Sequence, residues 1–249
     1  MNRNFLLLYI ITASACRQQT GTDSQTLMIV ESGNRVQASD NAHPEVGAIV
    51  NSKGDELCTV TLVHPRYVVT ASHCVGKAGP RKLNGPTIVL NRHTYTAIAS
   101  NSPQEMGSMR YCFDQKGSRC GKTAFKLDFA VLKLDEEADV APAKFENPVN
   151  LEFVKIYGFG CSTEKEQNSV KKGQVGRGQR KMYTGPWSAG LINVTCTGDS
   201  GGPVFNAKNG KLVYLMSQGK LDNGGGADSF ASVGEKGHLI RLLINELGG

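Results

Sequence analysis

The tightest constraint on this fold is the length of its apolar runs. From residue 29 onward they span only two to six residues, and turn-forming residues bound them. Val46–Val50, Cys58–Val63, Tyr67–Thr70, Thr87–Leu90, Phe129–Leu134, Val154–Tyr157, Val204–Phe205 and Leu212–Met216 read as short strands. Asn51-Ser52-Lys53-Gly54-Asp55 and His64-Pro65-Arg66 read as turns between them. Only residues 238–247 carry a helical period, with Leu239, Ile240, Leu243, Ile244 and Leu247 on one face. Many short strands with one terminal helix predict an all-β sandwich or barrel pair. A parallel α/β sheet is excluded, because no helical segments lie between the strands.

Composition narrows the class further. The 249 residues suit one large domain or two small ones, and 29 glycines fit many tight turns. Lys and Arg number 28 against 22 Asp and Glu, a net charge of +6, too mild and dispersed to predict a nucleic-acid partner. Hydrophobic residues make up 39% with a mean hydropathy of −0.27, which excludes a multi-span membrane protein and a disordered chain. Residues 171–181 are Gly-rich and basic (Lys171, Lys172, Arg177, Arg180, Lys181). They read as a solvated surface loop, with polyanion binding as the minority reading.

The N-terminus reads as an export signal. Arg3 precedes the apolar run Phe5–Ala13, which is too short to span a bilayer. Small residues Ala13-Ser14-Ala15 then lead to Cys16. This resembles a bacterial lipoprotein signal, in which Cys16 becomes the lipidated N-terminus, although Ala13 stands where leucine is commonest. Ordinary secretory cleavage after Ala15 is the alternative. The predicted organisation is therefore a signal peptide over 1–15, a polar tether or pro-segment over 16–28 and one domain over 29–249. Beyond Cys16 there are six cysteines: Cys58, Cys74, Cys112, Cys120, Cys161 and Cys196. An even number in an exported chain predicts three disulfides, with the connectivity open. There is no CxxC and no HExxH, so no metal site and no cofactor is predicted.

The most specific segment is Thr197-Gly198-Asp199-Ser200-Gly201-Gly202-Pro203. A serine hydroxyl is a weak nucleophile until a base takes its proton. The charge that then develops on the attacked oxygen needs nearby N–H donors, and glycines let bare backbone approach. Of five histidines, His73 lies at the end of a β-type run in Thr70-Ala71-Ser72-His73-Cys74. Asp128 is a single acid opening the strand Phe129–Leu134. Each alone has a bland reading, as a turn, a structural histidine and a solvated aspartate. The same glycines also satisfy the G-x-S-x-G elbow of α/β-hydrolases, with Asp222 or Asp228 and His238 as partners. That elbow must open a helix, however, and Pro203-Val204-Phe205 reads as a strand.

Together, TASHC, DFAVLKL and GDSGGP, in this order, resemble the trypsin/chymotrypsin-like serine proteases over nearly all of 29–249. The resemblance implies two six-stranded antiparallel β-barrels with the site between them and a C-terminal α-helix. It implies Ser200 as nucleophile, His73 as general base, Asp128 as its orienting acid, and the N–H groups of Gly198 and Ser200 as oxyanion hole. Tyr157-Gly158-Phe159-Gly160 is similar to the family's G-W-G segment. Ser217-Gln218-Gly219 is similar to its S-W-G strand, which pairs with substrate backbone. The family pattern implies Cys58–Cys74 behind the histidine and makes Cys112–Cys120 a local bridge. The family's usual partner for Cys196 is missing here, so Cys161–Cys196 is expected instead.

Two departures qualify the resemblance. Trypsin has an aspartate six residues before its nucleophile, and Val194 stands there, beside Thr195 and Thr197. Specificity for Arg or Lys is therefore not expected. Met216 stands where the glutamyl endopeptidases have a histidine, which leaves Glu specificity unsupported. Ile29-Val30-Glu31-Ser32 matches the family's I-V-G-G-like activation sequence only by half, so cleavage before Ile29 to pair its amino group with Asp199 is an expectation. A triad-bearing but silent binding protein is the competing class. The expected partners are protein or peptide substrates, for a monomeric chain that is secreted or attached to the cell envelope through Cys16.

Overall fold

The computed structural model describes residues 36–37, 42–52, 54–75, 81–83, 85–103, 128–160, 181–187, 198–218 and 229–249. Cys16, Ile29, Cys112, Cys120, Cys161, the basic stretch 171–180, Val194, Thr195, Cys196, Thr197 and Gly219 lie outside them.

A seven-stranded antiparallel sheet forms from β2 (Val46–Val50), β3 (Glu56–His64), β4 (Tyr67–Thr70), β5 (Arg81–Lys82), β6 (Thr87–Leu90), β7 (His93–Asn101) and β8 (Ala130–Leu134). Strand β8 pairs with β4 and also with β7, so six of these strands close into a barrel and β5 extends the far end of β7. The second sheet orders β1 (Val36–Gln37), β10 (Lys181–Pro186), β9 (Phe153–Gly158), β11 (Pro203–Asn206), β12 (Leu212–Gln218) and β13 (Ser229–Ala231). It also has six strands, but no pairing among the described residues closes it. The expected pair of closed barrels thus holds for the first barrel and not, on these pairings, for the second. The α-helix α1 (Gly237–Glu246) follows β13, as its apolar period predicts.

Strand alternation decides where the halves meet. On β3, Cys58, Val60 and Leu62 enter the barrel interior with Val68, Ile88, Leu90, Leu132 and Leu134. The odd-numbered residues face out of the barrel, yet Thr59 and Thr61 are equally buried. On β4 and β8 the outward residues Tyr67, Val69 and Val131 join Tyr157, Phe205, Leu212 and Leu215 of the second sheet in one shared core. Phe129, just before β8, belongs to the same core. Strands covered on both faces read as unbroken apolar runs, which is why Tyr67–Thr70 and Phe129–Leu134 stand out in the sequence. Ile240, Leu243 and Ile244 of α1 enter the same core. The link between the halves is hydrogen-bonded to both, with Ala143 N–H donating to Leu62 O and Leu212 N–H to Lys144 O, each at 2.8 Å.

Several strands are not legible as apolar runs. Strand β7 buries Tyr95 and Ala97 and exposes His93, Thr94, Thr96 and Ile98, so its inward face is mostly small. Its hairpin with β6 turns at Asn91 and Arg92, both at positive φ (47° and 68°), a geometry usually signalled by Asn-Gly. Lys181, read as the end of the basic loop, instead opens β10 opposite Gly158 and Gln37.

Candidate active site

The site lies at the seam between the halves, at the ends of strands. Strand β4 ends at Thr70, and a single 3-10 turn, Ser72–Cys74, presents His73 with its side chain 44% exposed. Cys74 is bonded to Cys58 of β3, which ties this turn to the barrel wall as the resemblance implies. Asp128, just before β8, is fully buried. A buried carboxylate is costly unless its lone pairs are met, and here four donors meet them. Oδ1 accepts from the Ser72 hydroxyl at 2.6 Å and the His73 N–H at 3.2 Å. Oδ2 accepts from His73 Nδ1 at 2.8 Å and the Ser217 hydroxyl at 2.5 Å. Burial alone would push the Asp128 pKa up. The His73 hydrogen bond and charge, with the Ser217 and Ser72 hydroxyls, outweigh it and hold the carboxyl below the usual carboxylate range. An ionised carboxylate only accepts, so Nδ1 of His73 carries a proton, and in the neutral ring Nε2 is the nitrogen left to accept one.

Ser200 sits in the turn before β11, and its hydroxyl reaches the Ser217 carbonyl at 3.5 Å. Ser217, buried on β12, therefore touches Asp128 with its side chain and Ser200 with its backbone. The backbone around Ser200 is held at several of its polar groups. Gly198 O accepts from the Thr59 hydroxyl, and Ser200 O from the Thr59 N–H, each at 2.8 Å. Gly201 N–H donates to Met216 O at 2.7 Å and Gly202 N–H to Asp199 O at 2.8 Å. Asp199, also buried, accepts from Gly160 N–H at 2.9 Å. Gly198 and Gly201 stand at φ 96° and 82°, and a Cβ on Gly201 would collide with Thr70 Oγ1 and Thr59 O. Only glycine fits both demands there.

The sequence-predicted residues His73, Asp128, Ser200, Gly198, Asp199 and Ser217 are thus brought together. Gln218 closes β12, opposite Ser229. Two contributors escaped the sequence reading: Ser72, where the family's segment has alanine, and Thr59. His238 is exposed on α1 beside Phe145, Glu146 and Arg241, and none of the hydrogen bonds around Ser200 involves it. Ser200 leads into a strand rather than a helix, so the α/β-hydrolase elbow is not formed. Among the described residues the one close grouping of His and Cys ligand atoms is Cys58, Cys74 and His73, and the disulfide takes both sulfurs.

A closed antiparallel barrel packed on a second antiparallel sheet, with serine, histidine and aspartate at their seam, defines a serine-hydrolase fold of chymotrypsin-like type. The Trypsin family model matches residues 32–233, and the chain belongs to that family. A venom serine protease of Polistes dominula is 23% identical over 227 residues, covering 80% of this chain and 78% of its own. Human granzyme M is 24% identical over 196 residues, covering 68% of this chain and 72% of its own. Among solved structures, the Vibrio cholerae VesB protease aligns with a TM-score of 0.60 at 14% identity, over 84% of this chain and 67% of its own. Human heparin binding protein aligns at 0.59 and 18% identity, over 85% of this chain and 96% of its own.

Proposed function

We propose that this chain is a serine endopeptidase acting through an acyl-enzyme. The observation that carries the reading is the continuous network joining His73 to Asp128 and, through Ser217, to Ser200. His73 Nε2 takes the Ser200 proton as the hydroxyl attacks the scissile carbonyl, a step in which a placed base contributes roughly 10²–10⁴ in rate. Asp128, kept ionised, stabilises the imidazolium, which then protonates the leaving amine. The N–H groups of Gly198 and Ser200 receive the oxyanion, each worth about 10²–10³.

Val194, six residues before Ser200 where trypsin has an aspartate, supports a small or aliphatic residue before the scissile bond, and argues against Arg or Lys. Asp199, buried in the nucleophile turn, supports activation by cleavage before Ile29, whose new ammonium would pair with it. Residues 1–15 are assigned to a signal peptide, 16–28 to a tether or pro-segment carrying lipidated Cys16, and 29–249 to the peptidase. The Cys58–Cys74 disulfide supports a place outside the reducing cytosol.

The test is a fluorophosphonate probe with mass-spectrometric mapping of the label. Label on Ser200 that disappears in His73→Ala and survives in His238→Ala is the expected result. Label only after trimming to Ile29 identifies a zymogen. No label on either form overturns the peptidase reading in favour of a silent binding protein.

A further inference from the structure

Thr59 hydrogen-bonds none of the three candidate catalytic side chains, yet its polar atoms are engaged at the seam. It is fully buried on the outward face of β3. Its hydroxyl donates to Gly198 O at 2.8 Å while accepting from Phe159 N–H at 3.2 Å. Its N–H donates to Ser200 O at 2.8 Å, and its carbonyl accepts from the Thr70 hydroxyl at 2.8 Å. The two residues assigned to the oxyanion hole are therefore the two whose carbonyls Thr59 holds. We propose that Thr59 is a positioning residue of the oxyanion hole, its hydroxyl fixing the Gly198–Asp199 peptide that lies between the Gly198 and Ser200 N–H groups and so their relative orientation. The inference rests on the peptidase reading above.

Gly198 is free to turn unless its neighbours hold it. A glycine at φ 96° has no side chain to restrict rotation about its own bonds. A donor serves a developing oxyanion only when preorganised, because reorienting it during reaction cancels the gain. What fixes a glycine is its hydrogen bonds and its neighbours. Here the Thr59 hydroxyl holds the carbonyl, and Gly160 Cα lies 3.1 Å from the place a Cβ would take. The direction of the Thr59 proton is itself set. Phe159 N–H occupies the acceptor side of the oxygen, so the O–H turns toward Gly198. The β-branch adds a restricted χ1, so the hydroxyl is placed before substrate arrives. Gly160, next to Phe159, holds the Asp199 carboxylate, so the same short segment braces the turn from its other side.

The experiment measures phosphonylation of the full chain, in its reactive form, by a fluorophosphonate probe, separating kinact from KI. Thr59→Val removes the hydroxyl at nearly constant volume. Its kinact should fall about tenfold, less than the ~10²–10³ for deleting a hole donor outright, with KI within about twofold. Thr59→Ser, which keeps the donor, should recover most of the rate. Thr59→Ala, which forces nothing large into the site, serves if the valine variant does not fold, and should lose kinact in the same way. Wild-type kinact in Thr59→Val or Thr59→Ala overturns the inference. So does a serine variant as slow as the valine one, or a loss carried by KI. A wild-type chain that never labels sinks the peptidase reading and this inference together. A labelling wild type with indifferent variants sinks this inference alone.

Discussion

Asp128 shows how much a single residue depends on hydroxyls placed by distant strands. Its carboxyl is held below the ordinary carboxylate range, so its contribution to stability is fully present above that range. The contribution is lost as pH falls through the lowered value. Ser72→Ala removes the donor at 2.6 Å and leaves a buried carboxylate short of one partner. The expected cost is about 1–3 kcal/mol near neutral pH. The acid limb of the stability curve should also move to higher pH, which denaturant melts across pH 2–6 would measure. Asp128→Asn should lower turnover by about 10⁴, because the amide favours the wrong His73 tautomer. At this scale the sequence was legible where chemistry leaves a motif: His73, Asp128 and Ser200 each sit in a recognisable segment. Ser72 and Thr59 were not. Each acts on a partner 56 or 139 residues away, and no local pattern reports that.

At the scale of the element, the strands of the seam are covered on both faces and the outer strands on one. Phe129 faces the shared core and Leu132 the barrel interior, and both are fully buried. Phe129→Ala should cost about 3–5 kcal/mol and Leu132→Ala about 2–5, whereas exposed Thr94→Ala on β7 should stay within about 0.5. Urea unfolding of the three variants would check this, and a cheap Phe129→Ala would refute the two-faced burial. The same contrast explains what could be read in advance. Doubly buried strands announce themselves as apolar runs. Strand β7 packs the barrel with Tyr95 and Ala97 between threonines, and its turn uses Asn91-Arg92 in place of glycine. Its pairing partners, not its composition, make it a strand.

At the scale of the molecule, the barrel and the second sheet share one core, and α1 lies over it. Ile240, Leu243 and Ile244 are each at least nine-tenths buried there. At roughly 1.5–3 kcal/mol each, they contribute about 5–9 kcal/mol. That is comparable to the whole stability of an ordinary domain, about 5–15 kcal/mol. Removing residues 237–249 should therefore unfold the chain rather than trim it. Calorimetry of the full-length protein should show one transition, with the van't Hoff and measured enthalpies equal. Two resolved transitions would show that the halves are independent. The plan of a closed barrel packed on a second sheet was legible only through the family resemblance. Strand runs alone allowed a sandwich equally well, because nothing in a strand's own residues says which sheet its second face will meet.

The shared core also orders events in time. A ribosome completes the first barrel at Leu134, when its outer face of Val46, Tyr67, Val69, Phe129 and Val131 still has nothing to lie against. Tyr157, Phe205, Leu212 and then α1, which follows β13, supply the cover. Asp128 likewise waits for Ser217 to complete its set of donors. A nascent chain stalled before Ser217 thus leaves this apolar face uncovered and Asp128 short of a donor, and the site can form only after the second sheet is made.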